Sequence, residues 1–454
     1  MVQQAATTLS RKAKAGRTIV VGLGRTGMSC ARHLHARDVC FAVTDSRATP
    51  PQAAELKQFA PNVEMHLGGF DARLLEDAAE VVVSPGVSLK EPFLLKAASL
   101  GVPIIGDIEL FAREARAPIA AVTGTNGKST VTTLVALMAE AAGRQVLAGG
   151  NLGRPALDLL DAGQPQLYVL ELSSFQLDTT QSLHTVAATV LNVTPDHMDR
   201  YATLEEYAAS KARIFQHCAT AVINLDDAAV RTMPTPGARV IGFSLANDLA
   251  AEYSVAHAGS DIALLHGKEH LALMSELKIT GAHNAANALA ALAMGEALGL
   301  PRQNCLDALK QFAGLPHRSQ WVADVAGVRY VDDSKGTNVG ATLAAVAGMP
   351  GSLVLIAGGQ GKGQDFSPLA DALRGKVRHA VLLGQDARQL GGVLAGVCDV
   401  DYADDMQQAV RLAAQAARID EIVLLSPACA SLDMFRDYAH RGDAFAAAVR
   451  SLKS

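Results

Sequence analysis

Short β-branched apolar runs alternate with longer Ala/Leu-rich stretches along the whole chain. Short apolar runs suit buried strands, and the longer stretches suit helices packed against them. That alternation predicts parallel α/β domains. Strands are expected first near 18–21, 40–44 and 80–83. A second group is expected near 119–122, 168–171, 188–192 and 221–224, with helices over 130–142 and 284–298 and another ending at Phe312. Gly314-Leu-Pro-His-Arg318 then interrupts the helical pattern and reads as a hinge. Beyond it, strands are expected near 329–331, 353–357, 379–383 and 422–425. The expected organisation is three α/β domains, over 1–106, 107–314 and 315–454.

Composition narrows the class. The chain has 454 residues, which suits about three domains of ordinary size. Apolar residues make up 49% and aromatics only 4%, so the cores must be built from Ala, Val and Leu. A net charge of −5, with no long run of either sign, argues against a nucleic-acid stripe or a polybasic membrane patch. Six scattered cysteines without a Cys-x-x-Cys pair argue against structural zinc and suit a reducing compartment. The first fifteen residues lack a signal-peptide core, and no apolar run reaches the ~18 residues of a membrane span. The expectation is a soluble, cytoplasmic, multi-domain protein.

Residues 119–130 carry the strongest chemical signal. A β-rich run ends in Gly124-Thr-Asn-Gly127-Lys128-Ser129-Thr130 and opens directly into a helical stretch. Backbone N–H groups of such a turn wrap polyphosphate, the lysine neutralises outer phosphates and the serine hydroxyl holds Mg²⁺. The ordinary P-loop has glycine five residues before Gly127, where this chain has Val122, so the loop is a shortened variant. It predicts binding of ATP or a similar nucleotide.

Other clusters leave more than one reading. Gly22-Leu-Gly-Arg-Thr-Gly27, with Asp45 ending the next strand, has the form of a dinucleotide fingerprint. A plain tight turn, or a different nucleotide such as a UDP group, fits it as well. Glu171 ends an apolar run, where it is either a Mg²⁺ ligand or a helix-capping acid, and the phosphate loop favours the metal. His197, within Asn192-Val-Thr-Pro-Asp-His-Met-Asp-Arg200, reads by chemistry alone as structural, because Mg²⁺ prefers oxygen. Lys211 reads as a solvated helix lysine. Asn284 and Asn287 share a helix face and could meet an adenine or ribose edge, although N-capping explains Asn284 equally well. Arg318 at the hinge could bring a cation to the nucleotide. The loops 333–338, 358–363 and 427–432 each follow a strand and suit a small anion, and Gly363 after Lys362 excludes a second P-loop.

Taken together, these segments resemble the Mur ligases of peptidoglycan synthesis, in particular their D-glutamate-adding branch. The likeness rests on Gly-Asp-Ile-Glu-Leu-Phe111, Thr-Gly-Thr-Asn-Gly-Lys-Ser-Thr130, Leu-Glu-Leu-Ser-Ser-Phe-Gln-Leu177, Asp-His-Met-Asp-Arg-Tyr201, Gly-Leu-Pro-His-Arg318 and Leu-Ser-Pro-Ala-Cys-Ala-Ser-Leu-Asp433. It implies Rossmann-like outer domains around a P-loop-type ATPase domain. It also implies a monomeric, ADP-forming ligase that adds D-glutamate to UDP-N-acetylmuramoyl-L-alanine through an acyl phosphate.

The resemblance further implies roles for single residues. The UDP-substrate would meet Gly24, Arg25, Thr26, Asp45, Arg47, Ser84, Gly86, Asn151 and Ser173. ATP would meet Gly124, Thr125, Asn126, Gly127, Lys128, Ser129 and Thr130 in the loop, and Asn284, Asn287, Arg318 and Asp333 outside it. Mg²⁺, which Mn²⁺ can replace, would be held by Ser129, Glu171, His197 and Lys211, the last as a carbamate. Lys128, His197 and Lys211 would carry the chemistry. D-Glutamate would meet Thr337, Lys362, Ser431 and Leu432. Tyr438 stands where the family pattern has phenylalanine.

Overall fold

A computed structural model describes residues 16–246, 250–259 and 261–452. The leading fifteen residues, expected to lack a signal-peptide core, lie outside the described residues. The chain forms two compact units. One comprises residues up to Pro118 with Leu147–Pro165 and Leu172–His184, and the other holds the rest.

In the first unit a parallel sheet runs in the order Glu64–Leu67, Phe41–Asp45, Arg17–Val21, Ala78–Val83, Ile104–Ile105. Ile19, Val21, Ala42, Val81 and Val83 are buried along it, as the near-continuous apolar runs demand of a sheet covered on both faces. Helix Arg25–His35 follows the first strand directly.

The second unit contains two sheets. One runs in the order Glu269–Leu273, Asp261–His266, Tyr253–Ala258, Arg239–Phe243, Thr220–Asn224, Ala187–Val190, Ile119–Thr123, Leu167–Glu171. Strand Ile119–Thr123 lies between two parallel neighbours, pairing Val122 with Glu171 on one side and with Thr189 on the other. The loops that follow these three strands therefore leave the same sheet edge side by side. Helices Lys128–Ala141 and Ala282–Ala297 cover this sheet through an Ala/Leu/Val core. The other sheet runs in the order Gln320–Val325, Val328–Asp332, Ile422–Leu425, Leu353–Gly358, Val377–Leu383, Asp399–Ala403, parallel except for its first hairpin.

The antiparallel meander Tyr253–Leu273 was not anticipated from the sequence. Its strands carry His257, His266 and Glu269 among the apolar residues, and its turns are made by Gly259 and Gly267 at positive φ. Among the described residues, no helix is long and apolar enough to cross a membrane.

Candidate active site

The phosphate loop is built by two glycines at positive φ, Gly124 at 147° and Gly127 at 84°. A Cβ on Gly127 would sit 2.4 Å from Asn287 Oδ1, so both the conformation and the close approach require glycine. Asn192, from the neighbouring strand end, clamps the loop: its Oδ1 accepts from Asn126 N at 2.8 Å and its Nδ2 donates to Asn126 O at 3.1 Å. Thr194 N donates to Thr125 Oγ1 at 3.0 Å. Gly127 caps the helix that starts at Lys128, and the loop amides and helix N-terminus together suit an anion.

Lys128 Nζ folds back onto its own loop, donating to Gly124 O and Thr125 O, both at 2.9 Å. Desolvation lowers its pKa, with Glu171 and Asp196 pulling the other way. Lys211 is not the solvated lysine that its helix suggested. It is 1% exposed, donates to Gly124 O at 3.0 Å and lies 4.3 Å over the Tyr207 ring. Tyr207, Ser210 and Lys211 form the buried side of helix Leu204–Ala212, and the tertiary contact buries this lysine against the nucleotide loop.

Glu171 is buried at the end of its strand, level with Val122. His197 has φ of 58° and a pKa lowered to about 4 by desolvation and by the charges of Lys362, Lys128 and Lys211. It is therefore neutral at pH 7, the state in which imidazole donates a lone pair to a metal. Among the described residues, no group of three or more His, Cys, Asp or Glu side chains is assembled for a metal. Mg²⁺ needs less than that, because one or two carboxylates complete its shell with phosphate oxygens and water. Ser129 and Glu171 fit such an ion; an unmodified Lys211 ammonium does not.

A cavity of about 920 Å³ opens beside the loop. Asn126, Gly127, Thr130, Asn284, Asn287, Arg318, Asp333 and Lys335 supply its polar wall, and Phe243, Ile279, Phe312, Pro316 and Trp321 its apolar one. That mixture suits a nucleotide, whose base is apolar on its faces and polar on its edges. Asn284 does not cap its helix, for Gly281 holds that position; its Nδ2 donates to Thr280 O, and its Oδ1 accepts from Asn287 Nδ2 at 3.2 Å. Arg318 Nη2 donates to Ser129 Oγ at 2.8 Å. Asp333 accepts from Ser319 N and Ser426 Oγ, and burial pushes it up to about 7.

Lys362 is engaged rather than free. Its Nζ lies 3.3 Å from Asp196 Oδ1, while Asp196 Oδ2 accepts from Asn338 Nδ2 at 3.2 Å. Thr337 is half-buried, Ser431 is buried and Leu432 is 68% exposed.

In the first unit, Gly22 at φ 89° starts the glycine turn, and a Cβ on Gly27 would meet Gly22 O at 1.8 Å. Asp45 accepts from Leu23 N at 2.6 Å and from the Arg47 guanidinium at 2.9 and 2.7 Å. With both oxygens engaged, Asp45 does not present the open carboxylate that the dinucleotide reading needs. Ser84 Oγ donates to Gly22 O at 2.8 Å. Arg25 donates to Gly153 O, Gly24 and Thr26 flank it, and Gly86 follows Ser84 in the next loop. Asn151 is exposed, and Ser173 caps helix Ser174–Asp178 in a reciprocal pair with Gln176.

Comparison with known proteins shows the family. The chain matches "Mur ligase MurD-like, N-terminal domain" over residues 16–106, "Mur ligase middle domain" over 122–295 and "Mur ligase, glutamate ligase domain" over 317–429. It is 52% identical over 442 residues to the UDP-N-acetylmuramoylalanine–D-glutamate ligase of Nitrosococcus oceani, covering 97% of this chain and 98% of that protein. The chain belongs to the Mur ligase family. Another Mur ligase of the same name, from Coxiella burnetii, is 48% identical over 440 residues, covering 96% of this chain and 99% of that one. The Mur ligase fold is also that of a solved UDP-N-acetylmuramate–alanine ligase from Thermotoga maritima, with TM-score 0.62, 17% identity and coverage of 96% and 99%.

Several polar residues of this candidate site were missed in the sequence. Lys335 and Asn338 lie in a loop whose composition suggested an anion site, and Asp196 precedes His197 in a polar segment, yet nothing local separates them from loop residues. Asn192 and Tyr207 act through the loop they touch, so only tertiary contact reveals them.

Proposed function

We propose that the chain is an ATP-dependent, ADP-forming ligase that joins D-glutamate to UDP-N-acetylmuramoyl-L-alanine in peptidoglycan synthesis, acting as a cytoplasmic monomer. The observation that carries this reading is the convergence of Lys128, Ser129, Glu171 and Lys211 on one sheet edge beside the 920 Å³ cavity, in a chain with relatives of that activity. Domains over 1–106, 107–314 and 315–454 would serve the UDP-substrate, ATP and the amino acid in turn.

The alanyl carboxylate and the γ-phosphate are both anionic, so attack of one on the other needs charge neutralised around the transferring phosphoryl. Lys128, the loop amides from Gly124 to Thr130 and Arg318 supply that charge from the chain. Bound Mg²⁺ would add Lewis-acid stabilisation of the phosphate oxygens, held by Ser129, Glu171, His197 and a carbamylated Lys211. Carbamylation replaces a buried ammonium with an anionic oxygen donor, which removes the repulsion between Lys211 and a metal ion. Asn284, Asn287 and Asp333 would orient the nucleoside part of ATP. Gly24, Arg25, Thr26, Asp45, Arg47, Ser84, Gly86, Asn151 and Ser173 would hold the UDP-substrate.

The acyl phosphate so formed is a far better acyl donor than the carboxylate. Thr337, Lys362, Ser431 and Leu432 would hold D-glutamate with its free-base amine at attack distance, and exclusion of water protects the acyl phosphate. Lys362 would exchange Asp196 for a substrate carboxylate. Phosphate release that strictly requires ATP, UDP-N-acetylmuramoyl-L-alanine and D-glutamate together is the expected result. Release without either acceptor would identify a nucleotide switch instead.

A further inference from the structure

We infer that Tyr438 is a positioning residue for the transfer step, acting through Lys335, whose ammonium it holds at the wall of the nucleotide cavity. This inference rests on the ligase reading above. Lys335 Nζ lies 3.7 Å from the centroid of the Tyr438 ring, and Lys335 lines the cavity together with Asn126, Gly127 and Arg318. A cation over an aromatic face is attracted by the ring quadrupole.

Both partners are held by the backbone around them. Lys335 N donates to His317 O at 3.0 Å, and Lys335 O accepts from Thr337 N at 2.8 Å. Tyr438 opens helix Tyr438–Ser451, and its carbonyl accepts from Ser334 Oγ at 2.7 Å. Arg441, buried one turn along that helix, donates to Ser334 Oγ and to Ser334 O. The His317 ring meets Tyr438 edge-on at 6.3 Å, and His317 is itself bonded to Asp332 at 2.7 Å. The backbone that carries the ring is thus held by hydrogen bonds, and His317 packs against the ring itself.

Electrostatics explain why a ring serves here. Burial, with Arg318 and Lys128 nearby, pushes Lys335 down to about 7, so the site disfavours its charge until an anion enters. A carboxylate partner would hold the ammonium in the empty site but would compete with phosphate for it. A ring holds it weakly and without anionic competition. Arriving phosphate then finds Lys335 already in place.

The test is steady-state kinetics on Tyr438→Phe, Tyr438→Leu, Tyr438→Met, Lys335→Met and the double variant Tyr438→Leu/Lys335→Met. Tyr438→Phe keeps the ring and should keep wild-type kcat. Tyr438→Leu and Tyr438→Met should lose about three- to thirty-fold in kcat, the range expected for a lost cation–π contact, with an unchanged KM for the UDP-substrate. In the Lys335→Met background, the Leu substitution should cost nothing more. Wild-type kcat in a folded Leu or Met variant, or a full additive loss in the double variant, would overturn the inference. The flexible, unbranched Met side chain adapts to the space the ring leaves if Leu fails to fold. A wild-type protein that releases no phosphate would instead refute the ligase reading itself.

Discussion

Lys128 and Lys211 direct their ammonium groups to the same acceptor, the carbonyl oxygen of Gly124, at 2.9 and 3.0 Å. Two cations on one neutral oxygen repel each other, and burial strengthens that repulsion by excluding the solvent that would screen it. Two events relieve it: a polyphosphate draws Lys128 outward, or Lys211 loses its charge.

The first event leads to the expected effect of Lys128→Ala. Removing one charge-stabilising group from a phosphoryl-transfer site costs on the order of 10²–10³ in rate. UDP-substrate binding, measured by titration calorimetry, should stay close to wild type, because the assigned residues lie in the first unit. Ligation within tenfold of wild type would dismiss the phosphate role of Lys128.

The second event predicts a carbamate on Lys211. Depleting bicarbonate should lower activity, and Lys211→Ala should be nearly inactive, with partial recovery when a small carboxylate is added to occupy the vacated anion position. A crystal structure of the active, metal-loaded enzyme showing bare lysine would reject this.

Amino-acid selection follows from Lys362 with the hydroxyls of Thr337 and Ser431. A carboxylate held by such donors discriminates by roughly 2–4 kcal/mol against an analogue that lacks it, since Lys362 then keeps Asp196 as its partner and the hydroxyls lose theirs. Pinning both carboxylates aims the amine of only one enantiomer at the acyl phosphate, so D-glutamate should drive phosphate release far better than L-glutamate, D-alanine, L-lysine or diaminopimelate, and Lys362→Ala should raise its KM steeply. An equal response to another amino acid in parallel assays would place the chain elsewhere in the family.

A pH effect on stability is expected from Asp107, which is buried in the first unit and accepts from Gln176 Nε2 at 2.9 Å. Burial pushes its pKa up to about 6, above the unfolded value. The native state thus keeps a proton that the unfolded chain releases, so this group's contribution is present below about pH 4 and lost as pH rises through about 6. Asp107→Asn does not titrate, and its stability relative to wild type should improve by at most roughly 3 kcal/mol between about pH 4 and pH 7. Urea unfolding of both proteins at those two pH values decides the matter; a constant difference would contradict the shift.

Local sequence determined the parallel α/β class, the phosphate loop and the strand-end position of Glu171. Each depends on neighbours a few residues away: β-branched runs make strands, and Gly124 and Gly127 take backbone conformations that other residues resist. The meander Tyr253–Leu273 was lost to the same reasoning, because its short apolar runs, 262–265 and 271–274, are built mostly of Ala and Leu rather than β-branched residues. Only the tertiary structure decided the fate of individual charges. Lys211 belongs to a helix without an apolar stripe, and the loop packed on it, not its own periodicity, makes it 1% exposed. Asp45 resembles a ribose-binding acid until Leu23 N and Arg47 engage both its oxygens. Lys362 resembles a free cation until Asp196, far away along the chain, pairs with it. A charge takes its environment from whatever the fold places within a few ångströms, and sequence neighbours do not specify those atoms.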